Sequence, residues 1–446
     1  MNNEKWHVLP AVIATAIMSF CGVLIETAMN VTFPTLMQEF QTTSSGIQWV
    51  TTGYLLAIAI VVPISAYLVR NFTTRQLFLA SNLIFIIGVL INCISPNLIM
   101  LLFGRFLQGV GTGIALPLMF HIVLTQVPIE QHGTVIGLGS MTTALAPPIG
   151  PTFGGLVSAA LGWRFIYWIL IPCLVISLVI GLWAIPKEKS IQKSPFNLLA
   201  FFFLANCLAS LLMAIEHLSL VWLLSAVVTG GLFEYFNRKN ALLSFAPFKN
   251  HTFNGMLYVV LAFQATVLGL SFVYPNYLQL GLNQSVTTAG LFMFPGAAMV
   301  ALLAPVSGKW FDVKGPLKPL LTGLILASIG GVLISVFFEH LAILPLLALN
   351  IILMSGNGFV MGSNVTFCLM QLDKDVQADG NSIVNTLQQF TGAISTTVVA
   401  RIFSANMDRL PFAGKYSLMF ITSLILLALV IFVVQYKKTR KPSEIG

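Results

Sequence analysis

The sequence predicts an all-α protein that crosses a membrane many times. Of its 446 residues, 57% are hydrophobic and only 8% are charged, and the mean hydropathy is +0.91. The apolar residues form repeated runs of about 20, the length that crosses a bilayer core. Lysine and arginine collect between alternate runs, as they do in membrane proteins. A soluble globular protein of this size would carry far more charge, so that class is excluded.

Taken in order, the apolar runs predict fourteen transmembrane helices separated by short polar or basic breaks. The predicted spans are 8–35, 46–69, 76–94, 97–123, 133–159, 163–184, 196–215, 218–236, 252–280, 286–308, 317–337, 341–370, 380–404 and 416–436. The first run is too long for a signal peptide and lacks a convincing cleavage site. We therefore interpret it as the first helix.

The basic residues indicate how these helices are oriented. Of the 22 lysines and arginines, seventeen lie on one predicted side, three lie on the other (Arg164, Arg409 and Lys415), and two lie within helices. Cytoplasmic loops carry the excess of Lys and Arg, so both termini are predicted to be cytoplasmic. The same rule explains the net charge of +8, and we expect no nucleic-acid partner.

Two polar breaks predict three domains. PKEKSIQKSP follows the sixth helix and NRKNALLSFAPFKN follows the eighth. We predict an N-terminal six-helix bundle (1–185), a linker with two additional transmembrane helices (186–250), and a C-terminal six-helix bundle with a short cytoplasmic tail (251–446). A short basic turn follows the second helix of each bundle, AYLVRNFTTRQ and GKWFDVKGPLK. Repeats of this kind build secondary transporters, whose substrate site lies between the repeats.

Glu26 is the first candidate for chemistry, because it is the only charge in the span from Val8 to Gln38. Ionisable groups inside such spans are rare and usually functional. Arg105 lies in the fourth helix at a depth within a few Å of Glu26, at about 1.5 Å of rise per residue. A shielded carboxylate near a guanidinium can load or release a proton as its surroundings change. The alternative is a static ion pair that only fixes helix packing.

Other polar side chains inside predicted helices are candidates for substrate binding. With Glu26, they are Asn30, Tyr54, Gln108, Gln264, Tyr274 and Asn357. Asn30 follows Glu26 by four residues and Gln108 follows Arg105 by three, so each shares a helix face with its charged neighbour. The alternatives are that the amides join neighbouring helices and that Tyr274 belongs to an aromatic belt at the membrane surface.

The fifth predicted helix contains ALAPPIGPTFGG, with three prolines and three glycines. Such a helix is bent and smooth, which favours tight packing and rocking motions. We predict conformational roles for the following residues: Pro147, Gly150, Pro151, Gly154 and Gly155. Asp312, the one acid in a basic turn, is predicted to hold helix ends by charge-assisted hydrogen bonds.

No cofactor, metal site or catalytic cluster is predicted. The five cysteines show no C-x-x-C spacing, and the sequence contains no phosphate-binding loop, no H-E-x-x-H and no nucleophile elbow. QGVGTG at 108–113 lies in mid-helix, which favours close helix packing over dinucleotide binding. We therefore expect a transporter driven by a proton gradient and not an enzyme.

Four stretches resemble a known family over nearly the whole chain. They are LLFGRFLQGVG at 101–111, GPTFGG at 150–155, GWRFIYWILIP at 162–172 and YPNYLQLGLNQSVTTAGLFMFPG at 274–296. Together they resemble the major facilitator superfamily, and within it the 14-helix drug:proton antiporters. The resemblance implies the major facilitator fold, with two pseudo-symmetric six-helix halves and two extra central helices. It also implies that Arg105 takes part in proton transfer and that GPTFGG marks an exporter.

The chain departs from that family in two places. The family's first-helix pattern, L-D-x-T-I-V-N-V-A-L-P, aligns Ile25 with the Asp and puts Glu26 one residue later, about 100° around the helix. The turn after the second helix has Arg70 where the family has Asp. The second copy of that turn, with Asp312, keeps the pattern. A latch that uses the first Asp is therefore weakened or rebuilt.

The resemblance implies a proton-coupled multidrug efflux antiporter, similar to exporters of Gram-positive bacteria including staphylococci. It would export lipophilic or cationic drugs by alternating access. Because only one acid lies clearly inside a predicted membrane span, we expect one proton per cycle. The expected partners are small-molecule drugs, protons and the lipid bilayer, for a monomer in the bacterial cytoplasmic membrane. The alternatives are a proton-coupled symporter importing a small organic solute, and a membrane enzyme or receptor.

Overall fold

The computed structural model describes residues 6–126, 146, 149–187, 195–238 and 241–440. These residues form helices joined by short turns, and no β-strand occurs among them. In chain order the helices are α1 (Val8–Ala28), α2 (Phe33–Glu39), α3 (Ser44–Ile47), α4 (Trp49–Val61), α5 (Ser65–Asn71), α6 (Thr74–Cys93), α7 (Leu98–Gln126), α8 (Ile149–Leu161), α9 (Arg164–Ala184), α10 (Leu198–His217), α11 (Leu220–Asn237), α12 (His251–Asn276), α13 (Val286–Lys314), α14 (Leu317–Phe337), α15 (Ile343–Leu369), α16 (Lys374–Ser404) and α17 (Leu410–Arg440).

Within the described ranges, twelve helical segments are long and apolar enough to cross a membrane. The remaining two predicted spans fall on α8 and α16. α8 covers the end of the predicted span 133–159, most of which lies outside the described residues. α16 is 31 residues long but rich in amides and hydroxyls, which lower its hydropathy. The prediction of an all-helical, multi-pass membrane protein is confirmed, and the number fourteen stays a prediction.

Some helices end where hydropathy did not predict. The first span continues beyond α1 through a 3-10 turn, Met29–Thr32, into α2. α13 extends to Lys314, so much of the predicted turn at 308–318 is helical. Gly315 ends α13 with φ of +73°, a backbone conformation that glycine adopts without a steric penalty. Hydropathy underestimates such a helix because its last turns are polar although they keep helical geometry.

The chain divides into two compact units, residues 1–42 with 46–243 and residues 43–45 with 244–446. In the first unit, α1 packs against α7 and α9, and α7 also packs against α4 and α6. A Cβ atom at Gly109 of α7 would lie 2.5 Å from the carbonyl oxygen of Tyr54 in α4. This close approach supports helix packing as the role of the QGVGTG stretch.

The second unit contains α12 to α17. α15 packs against α13 and α14, and α12 packs against α16 and α17. A Cβ atom at Gly323 of α14 would lie 2.7 Å from the carbonyl oxygen of Gly356 in α15. Small residues therefore set the helix spacing here too, as is usual where helices associate in a membrane.

Candidate functional site

Glu26 lies near the end of α1, inside the first unit. Its side chain is 3% exposed, and it is the only buried acid among the side chains that the structure describes. Its sequence neighbours Ile25 and Thr27 are also buried. An ionised carboxylate removed from water needs a positive charge or hydrogen-bond donors nearby. The protonation of Glu26 is therefore sensitive to small changes around it.

α8 packs directly on the turn of α1 that carries Glu26. A Cβ atom at Gly150 would lie 2.8 Å from the carbonyl oxygen of Leu24, and one at Gly154 would lie 2.9 Å from the carbonyl carbon of Ala28. Helix backbones can approach this closely only where a side chain is missing. A movement of α8 against α1 would therefore change the surroundings of the carboxylate.

Arg105 is completely buried in α7. Its Nε donates to the carbonyl oxygen of Val50 at 2.8 Å, and its Nη1 donates to Oε1 of Gln108 at 3.1 Å. Its guanidinium carbon lies 4.3 Å from the ring centroid of Tyr54, a cation–π contact. This hydrogen bond shows that Arg105 and Gln108 lie on one face of α7, as the sequence predicted.

Tyr54 joins three helices of the first unit. Its hydroxyl donates to the carbonyl oxygen of Gly22 in α1 at 2.8 Å and lies 2.7 Å from Oγ1 of Thr112 in α7. A Cβ atom at Gly22 would lie 2.6 Å from that same Oγ1 and would fill this space. Because its hydroxyl and one ring face are already engaged, Tyr54 is better suited to positioning Arg105 than to touching a substrate.

Glu26 and Arg105 interact through space without a direct bond. Each lies within electrostatic range of the other and of Tyr54. No ion pair or hydrogen bond joins the two among the described residues, and Nη2 of Arg105 has no hydrogen-bond partner there. A buried guanidinium without a carboxylate on it is costly.

Two polar residues beside Arg105 were missed in the sequence. Tyr167 of α9 is completely buried within electrostatic range of Arg105 and beside Asn92 of α6. Among the described residues, neither the Tyr167 hydroxyl nor either amide atom of Asn92 has a partner in good hydrogen-bond geometry. Neither residue shares a face or a motif with Arg105 in the sequence, so only the packing of α6 and α9 on α7 reveals them.

Asn30 lies in the 3-10 turn that follows α1, completely buried. Oγ1 of Thr51 in α4 donates to its Oδ1 at 2.5 Å. The sequence predicted that Asn30 and Glu26 share one helix face. The chain leaves α-helical geometry between the two residues, so this face is not continuous. The observed contact is the interhelical one that the sequence left open as an alternative.

Three predicted substrate-binding residues belong to the second unit. Gln264 is half-buried on α12. Tyr274, also on α12, is buried with its ring 5.1 Å from that of Phe292, and its hydroxyl has no partner among the described residues. Asn357 of α15 is buried, and neither of its amide atoms has a partner there. Buried polar groups in this condition usually meet water or a ligand.

The remaining predicted conformational residues are placed as follows. Pro151 and Gly155 are buried in α8, and Pro147 lies outside the described residues. Asp312 is exposed in the last turns of α13, and it makes no hydrogen bond with any residue that the structure describes. Its predicted hold on helix ends is therefore not seen in this conformation.

An apolar groove of about 620 Å³ lies between α1, α8 and α9. Its walls include Phe20 and Leu24 of α1, Phe153 of α8, and Cys173 of α9. Leu24 is two residues from Glu26 in the sequence, but Glu26 lies about 200° further around the helix and does not line the groove. Such a groove fits an apolar part of a ligand or a lipid chain.

The cysteines offer no metal centre within the described ranges. All five are free, and no group of three or more His, Cys, Asp or Glu side chains there could hold a metal ion. Cys21 of α1 and Cys173 of α9 lie side by side along the apolar groove.

Residues 15–396 match the family model described as the Major Facilitator Superfamily. The chain belongs to that superfamily. It is 34% identical over 415 residues to the lincomycin resistance protein LmrB of Listeria innocua, covering 90% of this chain and 88% of that protein. It is 26% identical over 389 residues to the multidrug resistance protein B homolog of Mycobacterium tuberculosis, covering 84% and 72%.

A solved structure supports the same fold. A POT family transporter, crystallised with a thioalcohol-conjugated peptide, superposes with a TM-score of 0.73 over 97% of this chain and 96% of that one. At 16% identity this likeness concerns the fold alone. The family model and the relatives confirm the predicted superfamily, and the solved structure supports the fold. The fourteen-helix subdivision is not tested by this likeness.

Proposed function

We propose that this chain is a proton-coupled multidrug efflux antiporter of the bacterial cytoplasmic membrane. It exports lipophilic or cationic drugs by alternating access and takes protons inward in exchange. Relatives named for lincomycin and multidrug resistance support drug export. The observation that carries the proton part is the burial of one acid, Glu26, within electrostatic range of the one buried arginine, Arg105, among the described side chains.

The proposed coupling uses the charge balance between these two side chains. Arg105 is held by Val50 and Gln108 and makes no ion pair with Glu26 among the described residues. In the proposed cycle, this is the state in which Glu26 carries the proton. A cationic drug or a shift of Arg105 towards Glu26 favours release of the proton. Because α8 packs on α1 beside Glu26, a rocking motion of these helices links proton release to the change of access.

The topology proposed with this function has fourteen crossing helices and both termini in the cytoplasm. The twelve apolar segments supply twelve of these crossings. The predicted spans 133–159, whose end is α8, and 380–404, within α16, supply the other two. The excess of Lys and Arg on one predicted side supports the orientation. We propose a monomer.

Import of a small organic solute by proton symport is the alternative on the same fold. Relatives named as resistance proteins favour export over it. In vesicles of known orientation, an exporter and an importer move labelled lincomycin in opposite directions under the same inward proton gradient.

The deciding experiment measures ethidium efflux from proteoliposomes under an imposed pH gradient, comparing the native chain with Glu26→Gln. We expect gradient-driven efflux from the native chain and none from the variant, which should still bind ethidium. Glu234→Gln is the matched control, because Glu234 is a partly exposed acid on α11 that pairs with Arg238. Undiminished gradient-driven efflux by Glu26→Gln would overturn the role proposed for Glu26.

A further inference from the structure

α16 runs parallel to α12 through most of its length. The pairs in contact are Phe253 with Gly380, Ala265 with Ser395, and Phe272 with Phe403. The Ser395 hydroxyl donates to the Ala265 carbonyl oxygen at 2.7 Å. Because α12 belongs to an apolar crossing segment, His251–Gly281, the adjacent part of α16 lies at the same depth in a membrane.

One face of α16, in the half nearer Lys374, is a row of neutral amides. They are Gln377, Asn381, Asn385 and Gln388, spaced by four, four and three residues and therefore on one side of the helix. Asn381 is exposed and the other three are partly exposed. Ile383, on the opposite side of the same turns, is 1% exposed. Val384, which borders the row between Asn381 and Gln388, is equally buried. The helix thus packs through its apolar side and leaves its amide side open.

An open row of amides at this depth cannot face lipid. Hydrocarbon offers no hydrogen bonds, so polar groups in crossing helices turn towards protein or a water-filled cavity. The packed side of α16 is already taken by apolar neighbours. The amide row therefore faces water, and with it whatever solute that water carries.

We infer that this row, Gln377 to Gln388 on α16, binds neutral hydroxyl and amide groups of the exported drug. The inference rests on the proposed function and adds a ligand class to it. None of the four amides carries a charge. Gln377 donates to the Leu372 carbonyl oxygen at 3.1 Å, and Asn385 donates to the carbonyl oxygen and Oδ1 of Asn381, which leaves the remaining amide atoms of the row for a ligand. The charged residues 373–375 lie at the start of the helix, Asp379 lies on another side of it, and Arg401 lies near its far end. The row therefore suits hydrogen bonding to a neutral group and not pairing with a cation.

Lincomycin and ethidium separate these two kinds of recognition. Lincomycin carries several hydroxyls and an amide, whereas ethidium is a flat cation without hydroxyls. Asn385→Leu and Gln388→Leu should each raise the half-saturating concentration for lincomycin export by about five- to tenfold, as expected for a lost hydrogen bond. Ethidium export should change by less than about twofold. Asn206→Leu on α10 is the control, since Asn206 bonds only within its own helix, to Phe202.

Thiol labelling tests the open face without relying on transport. In a chain whose five cysteines are replaced by serine, Asn385→Cys and Gln388→Cys should react with a membrane-impermeant methanethiosulfonate, and lincomycin should slow the reaction. Ile383→Cys, on the packed side opposite the row, should not react. No labelling at either amide position would overturn the open face, and labelling that lincomycin does not slow would overturn the ligand assignment.

The experiments can contradict the proposed function and the ligand assignment separately. If the native chain exports neither drug, the proposed function is wrong, and the ligand assignment falls with it. If the native chain exports lincomycin and both leucine variants do so with unchanged half-saturation, the inference alone is wrong. A variant that no longer purifies as a single folded species is replaced by Asn385→Ser or Gln388→Ser, which keep a polar side chain.

Discussion

The two units differ in how they hold their buried polar groups. In the first unit, Arg105, Tyr54 and Thr112 form a continuous set of short contacts around the turn of α1 that carries Glu26. In the second, Asn357 has no partner among the described residues, and the amides of α16 are partly open. A charged region with short contacts is sensitive to protonation, whereas neutral amides with open donor or acceptor atoms can hydrogen-bond a ligand. Under the proposed function, coupling and recognition would therefore occupy separate places in one chain.

The strongest test of that division removes the charge of Arg105. We expect Arg105→Ala to lower gradient-driven efflux by about 100-fold or more, the scale reported for losing one preorganised polar group from a working site. Arg105→Lys should restore part of the activity, because lysine keeps the charge but cannot reproduce both the Val50 and Gln108 contacts. Equal activity of all three proteins in the proteoliposome assay would remove Arg105 from the coupling.

Filling the contact between α8 and α1 should have the next largest effect. Gly154→Val would press a side chain into the backbone of Ala28, and overpacking of this kind costs about 1–3 kcal/mol. Thermal unfolding should shift to lower temperature, and efflux should fall even at temperatures where the variant is folded. Gly231→Val on α11 is the control, since nothing lies within 4 Å of that position. Matching behaviour of the two variants would contradict a special role for the α8 contact.

Loss of the Tyr54 hydroxyl should have an intermediate effect. Tyr54→Phe keeps the ring beneath Arg105 but removes the bonds to Gly22 and Thr112, a loss of about 1–2 kcal/mol. We expect a lower thermal midpoint and an altered pH profile of efflux, because the position of Arg105 relative to α1 is less defined. A substrate-binding role would instead change the half-saturating drug concentration and leave the pH profile unchanged.

The smallest effect on stability is expected in the second unit. Asn357→Leu replaces an unpaired buried amide by an apolar side chain of similar size, a change that is nearly neutral or slightly stabilising. The thermal midpoint without drug should therefore hold or rise. Stabilisation of the native chain by added lincomycin should be larger than that of the variant, if this amide meets the drug. A clear loss of stability without drug would show that Asn357 has a structural partner after all.

Hydropathy was sufficient for most of the helices, because about 20 apolar residues in a row have few other stable arrangements. It was least informative for α16, where the amides that make the helix interesting also weaken the apolar signal. Glu26 and Arg105 stood out for the same energetic reason, since charge is rare inside such runs. The ends of α1 and α13 could not be located, because hydropathy does not register a 3-10 turn or a helix that extends past its apolar part.

The sequence by itself determined the membrane class and the two buried charges, since each depends on composition or on spacing along one helix. The superfamily followed from the resemblance of four stretches to known family motifs. Only the tertiary structure decided which groups surround those charges. Tyr167 of α9 lies near Arg105 with Asn92 of α6 beside it, Tyr54 is engaged by Gly22, and α8 lies on the Glu26 turn. These contacts join residues far apart in the chain, and close packing between helices, which no local pattern encodes, brings them together.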